Sequence, residues 1–318
     1  MHSGRSGLDR RRGRGRAAAG GRAGGALTLL VCIGCGRSVP SQPAGVNERQ
    51  PSPVADMGVP DAIGEGAAQA PAPANAARYP VAPVPAGTYT IGCTPGQGSA
   101  CGSDATARQV TLTQGILVGT TEVTQRLYAA QMGGNPSEFA SCGEACPVEN
   151  VSWFDAIRFA NALSAAEGLE PCYSIRGETV SWPKGTACLG YRLPTESEWE
   201  VAARGGRDEA YAGGGDLSSV GWYDDNYAGG PQPVGSKAAN GYGLHDMSGN
   251  VWEWTWDWYD TAPTAGTDPK GPSSGFLRVI RGGSWVNAAR HARVAFRGLK
   301  EPDDRSSNLG LRLLRTAS

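Results

Sequence analysis

The sequence predicts an α+β domain with little regular secondary structure, and three observations support this class. Two segments carry a helix capping box before an apolar stripe: Ser152 with Asp155, and Thr195 with Glu198. The segment Trp252–Trp258 places a tryptophan at every second position, which is the period of a β-strand with one aromatic face. The C-terminal part of the chain then shows short strand patterns and many glycine turns, without a tandem repeat.

The first half of this domain predicts strands followed by helices. The stretch Pro85–Cys93 is a short strand pattern bounded by Pro and Gly. Thr121 has the position of an N-cap for a helix over Glu122–Met132. The helix that Thr195 begins ends at the glycine pair after Arg204, and no helix is expected beyond Gly206.

Residues 1–35 predict an export signal. Residues 1–34 hold seven arginines and one acid, and the apolar run Ala26–Gly34 ends at Cys35. A basic start followed by a short apolar run is the layout of a secretory signal, and the run is too short to span a bilayer. Gly34-Cys35 is similar to a bacterial lipobox, although Cys32 stands where Leu is usual, so we expect lipidation of Cys35; plain secretion is the alternative.

Residues 36–84 predict a disordered tether, and residues 85–318 predict the folded domain. The tether is rich in Pro, Ala, Gly and Ser and nearly free of aromatic residues, so it has little apolar surface to bury. Seven of the 29 basic residues and one of the 30 acidic residues lie in the signal, so the exported part carries a net charge of −7. Such a charge argues against nucleic-acid binding.

The cysteines predict three disulfides in an oxidising compartment. Six of the eight cysteines fall in the predicted domain, an even number in an exported chain. Proximity in the sequence favours Cys93–Cys101, Cys142–Cys146 and Cys172–Cys188, although six cysteines allow fifteen pairings. A zinc site is the rival interpretation, but the predicted domain has no Cys-x-x-Cys spacing and its histidines are His245 and His291 alone.

Ordered sequence blocks across residues 85–316 resemble the formylglycine-generating enzyme (sulfatase-modifying factor) family. They are GTYTIG, TTEVTQ, PVENVSWFDAIRFANALS, YRLPTESEWEVAARGG, PVGSKAANGYGL, GLHDMSGNVWEW, RVIRGGSW and NLGLRLLR. The resemblance implies a compact α+β fold related to C-type lectins. It also implies copper-dependent oxidation of a sulfatase cysteine and the binding of calcium, and each requires particular ligand residues.

The copper site of the resembled family is missing from this chain. That family binds copper(I) through two cysteines spaced C-x-x-x-x-C after GGS-aromatic, and Asn287 and Ala292 stand at those positions here. Thiolates suit a cuprous ion, whereas a carboxamide is a poor ligand and a methyl group is none. We therefore expect no copper and no catalytic residue, and the sequence predicts a member that has lost the activity.

The resemblance further implies a structural calcium ion. The family's calcium loop corresponds to Asp246, Gly249, Val251 and Glu253, with two side-chain oxygens and two backbone carbonyls. Calcium prefers hard oxygen ligands of this kind. The alternative is that Glu253 pairs with a buried arginine and that Asp246 caps the turn without metal.

The leading hypothesis is an exported, lipid-anchored, non-catalytic module that binds a peptide, a glycan or an envelope protein. The residues expected to line its cleft are Trp252, Ser284, Trp285, Asn287, His291 and Arg293. The alternatives are a formylglycine-generating oxidase that acts without the thiolates, and a structural envelope protein without a discrete ligand. At least half of the tryptophans in Trp252–Trp258 are expected in the core, and the C-terminal arginines are expected to form carboxylate pairs.

Overall fold

The structure is a computed structural model, and it describes residues 78–98 and 101–318. Its helices are α1 (Gln125–Met132), α2 (Trp153–Ala166), α3 (Glu196–Arg204) and α4 (Leu217–Val220). Both predicted capping boxes are present, because Ser152 and Thr195 accept the backbone N–H groups of Asp155 and Glu198. Gly205 ends α3 in the left-handed conformation. The one-turn α4 lies beyond Gly206, where the sequence predicts no helix.

Helix α1 begins three residues later than predicted. Its N-cap is Thr124, whose side chain accepts the N–H of Leu127, and not Thr121. Residues 121–123 bond to distant segments instead: the Tyr79 hydroxyl donates to the Thr121 carbonyl, and the Val123 N–H donates to the Leu311 carbonyl. These distant partners outweigh the local capping signal.

The strands form four small sheets. They are β1 (Val81–Val84), β2 (Gly87–Ile91), β3 (Arg108–Leu112), β4 (Ile116–Gly119), β5 (Ser174–Arg176), β6 (Thr179–Ser181), β7 (Trp252–Trp258), β8 (Gly266–Thr267), β9 (Arg278–Arg281), β10 (Gly298–Lys300), β11 (Leu309–Gly310) and β12 (Leu314–Thr316). The strand orders are β1-β4-β12, β10-β9-β7-β11, β2-β3-β8 and the hairpin β5-β6. Small sheets with three main helices confirm the irregular α+β class.

The fold includes residues that the sequence analysis placed in the tether. Strand β1 pairs antiparallel with β4 from Val81 opposite Gly119 to Val84 opposite Ile116. Tyr79 is buried, and its ring meets Tyr191 edge-on at 6.0 Å between centroids. The domain boundary therefore lies before residue 79 rather than at residue 85. Residues 1–77, with Cys35 and the rest of the predicted tether, lie outside the described ranges.

Strand β7 is the tryptophan strand that the sequence predicts, and it lies in the centre of the four-stranded sheet. Trp252 and Trp254 are buried, whereas Trp256 and Trp258 are half-buried. This confirms that half of these rings are core. The opposite face of the strand is buried as well, and it carries Glu253, Thr255 and Asp257.

All three predicted disulfides are present. They join Cys93 to Cys101, Cys142 to Cys146, and Cys172 to Cys188. The first two close loops whose described residues hold no more than a single 3₁₀ turn, and the third encloses the β5–β6 hairpin. Three disulfides are typical of a protein from an oxidising, extracytoplasmic compartment. None of the helices in the described ranges has the length and apolar character needed to cross a bilayer.

Buried arginine–carboxylate pairs connect the sheets, as the sequence predicts for the C-terminal arginines. Arg281 contacts Glu200 of α3 at 2.6 Å, and Arg312 contacts Glu253 of β7 at 2.8 Å. Arg297 binds both carboxylate oxygens of Glu196 at 2.5 and 2.8 Å. Charge-assisted bidentate pairs of this kind are the stronger hydrogen bonds of proteins.

The buried Asp257 carboxyl group makes folding sensitive to pH. Burial raises its pKa to about 8, and repulsion from Glu196 adds to the rise. In the unfolded chain the pKa of an aspartate lies near 4, so folding takes up a proton between about pH 4 and pH 8. The contribution of this group to stability is therefore greatest in acid and falls as the pH rises through that window.

We expect Asp257→Asn to raise the free energy of unfolding at pH 7.5, on the order of 1 kcal/mol or more. The amide oxygen can still accept the Glu196 N–H, which Asp257 accepts at 2.7 Å, but no proton uptake is needed. Urea unfolding at pH 5 and pH 7.5 measures the effect, with the exposed Asp303→Asn as control. Equal destabilisation of Asp257→Asn at both pH values would contradict the assignment.

Candidate functional site

The candidate site lies on the loop between β9 and β10, where the resembled family carries its two cysteines. Gly282 and Gly283 adopt φ values of 100° and 75° and turn the chain out of β9. A Cβ at Gly283 would come within 2.9 Å of the Ala292 backbone, so this glycine lets the two ends of the loop touch. The loop thereby brings residue 292 back beside the start of the turn.

Asn287 is the centre of a hydrogen-bond network. Its side-chain oxygen accepts the Trp252 indole N–H at 2.8 Å and the Ser284 hydroxyl at 2.5 Å. Asn308 completes the network by donating its amide to the Ser284 oxygen at 3.0 Å. The predicted residues Trp252, Ser284 and Asn287 are thus brought together, with an amide oxygen in the position of the first cysteine.

The second cysteine position offers no ligand. Ala292 is buried and packs with Leu217 and Val220 of α4. The buried Ser248 hydroxyl donates to its carbonyl at 2.7 Å. The residues at the former copper position therefore supply one amide oxygen and one methyl group, which does not fit a copper(I) ion.

His291 has the environment of a packed ring and not of a catalytic base. Its ring lies edge-on to Phe296 at 4.8 Å between centroids, and its Nδ1 is buried without a hydrogen-bond partner. Burial lowers the pKa of His291, and the Arg290 charge lowers it further, so the ring is neutral at pH 7. Among the described residues Nδ1 has no carboxylate partner to orient the ring, as acid–base catalysis by a histidine usually requires.

An aromatic surface lies beside Asn287. The Trp285 ring is buried between Phe139, at 5.3 Å, and Tyr227, at 5.4 Å between centroids. Tyr227 is 42% exposed and the neighbouring Val286 is 46% exposed. We call Phe139, Tyr227 and Val286 the aromatic patch. It presents apolar side chains to solvent at the edge of the buried network.

Asn287 also joins two of the three loops that carry this patch. Its backbone carbonyl accepts the N–H of Asp224, and that loop is closed by the Tyr227 N–H bonded to the Tyr223 carbonyl. Asn226 supports the same turn by accepting the Tyr223 N–H at 2.8 Å. The surface is therefore held in one arrangement by main-chain bonds. Such preorganisation favours binding.

Arg293 does not join the other predicted site residues. Its guanidinium lies beside Gly98, in the loop closed by the first disulfide. The sequence predicts it for the cleft because it is close along the chain, but the backbone turns away after the short 3₁₀ segment Ala289–Ala292. In its place the structure contributes Phe139 and Tyr227, which come from distant loops.

The predicted calcium loop keeps only part of its ligand set. The Glu253 carboxylate accepts the Arg312 Nε–H at 2.9 and 3.1 Å and the Trp199 indole N–H at 2.6 Å. The Glu253 charge is therefore balanced by Arg312, which is the metal-free alternative given above. A carboxylate engaged in this way does not fit the role of calcium ligand. Asp246 accepts the Gly235 N–H through Oδ2, but its buried Oδ1 has no partner.

No group of three His, Cys, Asp or Glu side chains that could hold a metal occurs in residues 78–98 and 101–318. The four predicted residues therefore do not form a carboxylate cage by themselves. The calcium ion itself stays a prediction.

A second aromatic feature lies at the other end of β7. Trp182, Trp256 and Trp258 line a cavity of about 250 Å³ together with Lys270. Trp256 stacks on Tyr173 and meets Trp182 edge-on at 5.0 Å between centroids. Trp182 directly follows β6, so no pattern in the sequence could place it beside Trp256.

The profile of the Sulfatase-modifying factor enzyme 1-like domain family matches residues 68–317. The chain belongs to this family. A relative from Paenibacillus barcinonensis named Chaperone protein LppX is 35% identical over 242 residues, which cover 66% of this chain and 82% of the relative. The family resemblance that the sequence blocks indicated is confirmed.

Two other relatives place the chain within the sulfatase-modifying factor family. The formylglycine-generating enzyme of Thermomonospora curvata is 36% identical over 191 residues, 52% of this chain and 54% of that enzyme. The solved structure of Treponema denticola variable protein 1 superimposes with a TM-score of 0.68 at 36% identity, covering 74% of this chain and 95% of that chain. This similarity confirms the irregular, C-type-lectin-like fold class.

We expect Asn287→Ala to destabilise the domain by about 1–3 kcal/mol, because the Trp252 indole and the Ser284 hydroxyl both lose their acceptor. Trp252 is 8% exposed, so water cannot readily replace the lost acceptor of its indole N–H. Chemical unfolding followed by tryptophan fluorescence measures the change. Val286→Ala, one residue away and largely exposed, is the control. If both variants had the same free energy of unfolding, the Asn287 network would contribute nothing to stability.

Proposed function

We propose that this protein is a non-catalytic binding module that recognises a peptide segment of an exported protein. The observation that carries the proposal is the pair Asn287 and Ala292, which replaces the copper ligands of the family. The Asn287 side chain is engaged with Trp252 and Ser284, so the position has become part of the scaffold.

Loss of the thiolates removes the chemistry as well as the metal. Oxidation of a substrate cysteine needs a soft ligand pair to hold copper(I). The cysteines of the described domain are all in disulfides and are distant in sequence from the loop. An oxidase without these thiolates is therefore the weaker hypothesis, and no specific contact favours it.

The aromatic patch supports a peptide ligand. Exposed Tyr and Val side chains on a main-chain-bonded loop supply apolar contact at low entropic cost. The relative LppX is named a chaperone protein, and this chain covers 82% of it. A protein partner is therefore favoured over a purely structural envelope role.

A glycan ligand is the second candidate, and a different surface favours it. The cavity lined by Trp182, Trp256 and Trp258 is about 250 Å³ and presents half-buried rings together with the Lys270 side chain. Flat apolar rings beside a few polar groups are the usual composition of small-ligand sites. Binding at this cavity would be independent of the Asn287 loop.

The proposed function predicts that the protein binds a peptide and does not convert its cysteine to formylglycine. Incubation of the purified protein with copper(I) and a Cys-x-Pro-x-Arg peptide should yield no formylglycine by mass spectrometry. The Thermomonospora curvata enzyme under the same conditions is the positive control. Formylglycine made by this chain would overturn the non-catalytic assignment.

Peptide binding can be tested with peptides that are selected against the protein by phage display. Their affinity should fall at least tenfold in Val286→Asp, because a charge would stand in the aromatic patch. Asp303→Asn, on an exposed loop outside the patch, should leave affinity unchanged. Glycan-array signals that vanish in Trp258→Ala but survive in Val286→Asp would instead favour the sugar candidate.

We further propose export with a lipid anchor on Cys35. Three disulfides, the basic and apolar N-terminal segment and the small residue before Cys35 support this proposal. Cys35→Ser should move the protein from the membrane fraction to the soluble exported fraction. Unchanged fractionation would leave plain secretion as the better account.

A further inference from the structure

The cavity at the end of β7 is built from aromatic side chains and one lysine. Trp182, Trp256 and Trp258 line it together with Lys270. The Trp182 and Trp256 rings meet at 62° and 5.0 Å between centroids, so they form a corner and not a flat surface. Its volume of about 250 Å³ is smaller than the ~300–1,000 Å³ of sites for drug-sized ligands. The cavity is therefore suited to one ring of a larger ligand.

Each of these tryptophans already has a guanidinium group against its ring. The Arg278 guanidinium lies 3.4 Å from the Trp258 centroid and 5.3 Å from that of Trp256. The Arg192 guanidinium lies 5.0 Å from the Trp182 centroid. The face of an indole ring attracts cations, and here that attraction is already satisfied from inside the domain. The cavity is therefore poorly suited to a cationic ligand such as a quaternary ammonium group.

The charge of Arg278 is not balanced by a carboxylate. Arg192 pairs with Glu198, whereas Arg278 donates to the Trp256 carbonyl and its Nε has no partner among the described residues. Burial lowers the pKa of Arg278 to about 9, so its guanidinium remains charged at pH 7. Burial also raises the pKa of the neighbouring Asp257 to about 8, so that carboxyl group is mostly uncharged at pH 7. A positive charge is thus left behind the tryptophan rings.

Lys270 adds a second positive charge, and the backbone around it is closely packed. A Cβ at Gly271 would come within 2.8 Å of the Asp257 side chain, so this loop lies directly on β7. A Cβ at Gly185 would come within 3.1 Å of the Lys270 ammonium, so this glycine leaves room for the lysine. The lysine ion pairs of the described domain belong to other lysines. The Lys270 ammonium is therefore free to meet an anion from outside.

We propose that this cavity binds one carboxylated sugar ring of an acidic glycan. The apolar face of the sugar packs against the Trp256 and Trp258 rings, and its carboxylate meets the Lys270 ammonium. The exposed Ser273 side chain lies at the same cavity and offers a hydrogen bond to a sugar hydroxyl. Binding of this kind rests on the glycan candidate proposed above, and adds to it the size and the charge of the bound group.

The surroundings of the cavity favour a sugar over an aromatic acid. Trp256 and Trp258 are half-buried, so a ring that packs on them keeps one side in water, as the hydroxyl groups of a sugar require. Phe276 is 92% exposed and follows Gly275, whose Cβ would lie 2.9 Å from the Trp258 side chain. A glycan longer than one ring therefore has apolar surface to contact outside the cavity.

The test compares two matched probes, a short oligogalacturonate and the same oligomer after reduction of its carboxylates to hydroxymethyl groups. Tryptophan fluorescence and calorimetry of the purified protein measure the affinity for each. The acidic oligomer should bind at least about fivefold more tightly, because it alone supplies a carboxylate for the Lys270 ammonium. Added salt should reduce this difference, since ions screen a partly exposed charge pair.

Lys270→Gln should abolish the preference for the acidic oligomer and leave weak binding of both. Lys270 is exposed, so this change does not disturb the core. The matched control is Lys237→Gln, which removes the same charge from a lysine 4.0 Å from the centroid of Trp222. The control should keep the preference of the wild type. Trp258→Ala should weaken the binding of both oligomers.

Four results would overturn the proposal, and they separate it from the proposed function. Equal affinity for both oligomers that is lost in Trp258→Ala would retain the glycan candidate and exclude an anionic group. A preference that survives in Lys270→Gln would place the charge recognition elsewhere. Tighter binding of benzoate than of monomeric galacturonate would assign the cavity to aromatic acids. Binding of neither oligomer would exclude the glycan candidate as well, whereas the peptide ligand is tested separately by Val286→Asp.

Discussion

The ion pair between Glu253 and Arg312 is the contact on which the arrangement of this domain depends. Both side chains are 0% exposed, and the Glu253 carboxylate also accepts the Trp199 indole N–H. One carboxylate therefore joins the central strand, the C-terminal segment and helix α3. Removing one partner of a buried pair typically costs about 3–5 kcal/mol, because the other charge is left unpaired.

Such a pair is needed because the sheets are too small to hold the domain by their ladders. Many carbonyls lie in loops that have no neighbouring strand, and buried carbonyls must be paired. Arginine meets this need with five N–H donors. Arg312 bonds the carbonyls of Gly119 and His245, and Arg281 bonds those of Val294 and Phe296. The arginines thus act as cross-links where regular hydrogen bonding is absent.

Local features of the fold were predictable from the sequence, whereas features set by distant partners were not. The capping boxes at Ser152 and Thr195 depend on neighbours three residues away, and each lies where predicted. Thr121 has the same local signal, but its carbonyl bonds Tyr79 and its neighbour Val123 bonds Leu311. The burial of residue 79 and the true start of α1 therefore depended on contacts that no local pattern contains.

The candidate site was likewise predictable only in part. The absence of copper ligands could be read directly at residues 287 and 292. Whether Glu253 meets a metal or an arginine depends on Arg312, which is 59 residues away along the chain. The Tyr227 and Phe139 side chains come from separate loops, and the Trp285 ring contacts both. The sequence therefore identified the replaced cysteines but not the side chains that surround them.

Asn287 explains how the family scaffold persists where the two cysteines of the resembled enzymes are replaced. In this chain Trp252 and Ser284 remain because they pack and bond to Asn287, and a buried indole N–H without an acceptor would be costly. The same residue bonds the loop of Tyr227 through its main-chain carbonyl. A position suited to a reactive thiolate has thus become a structural junction between two surface loops. The exposed side chains of those loops can therefore vary without disturbing the network beneath them.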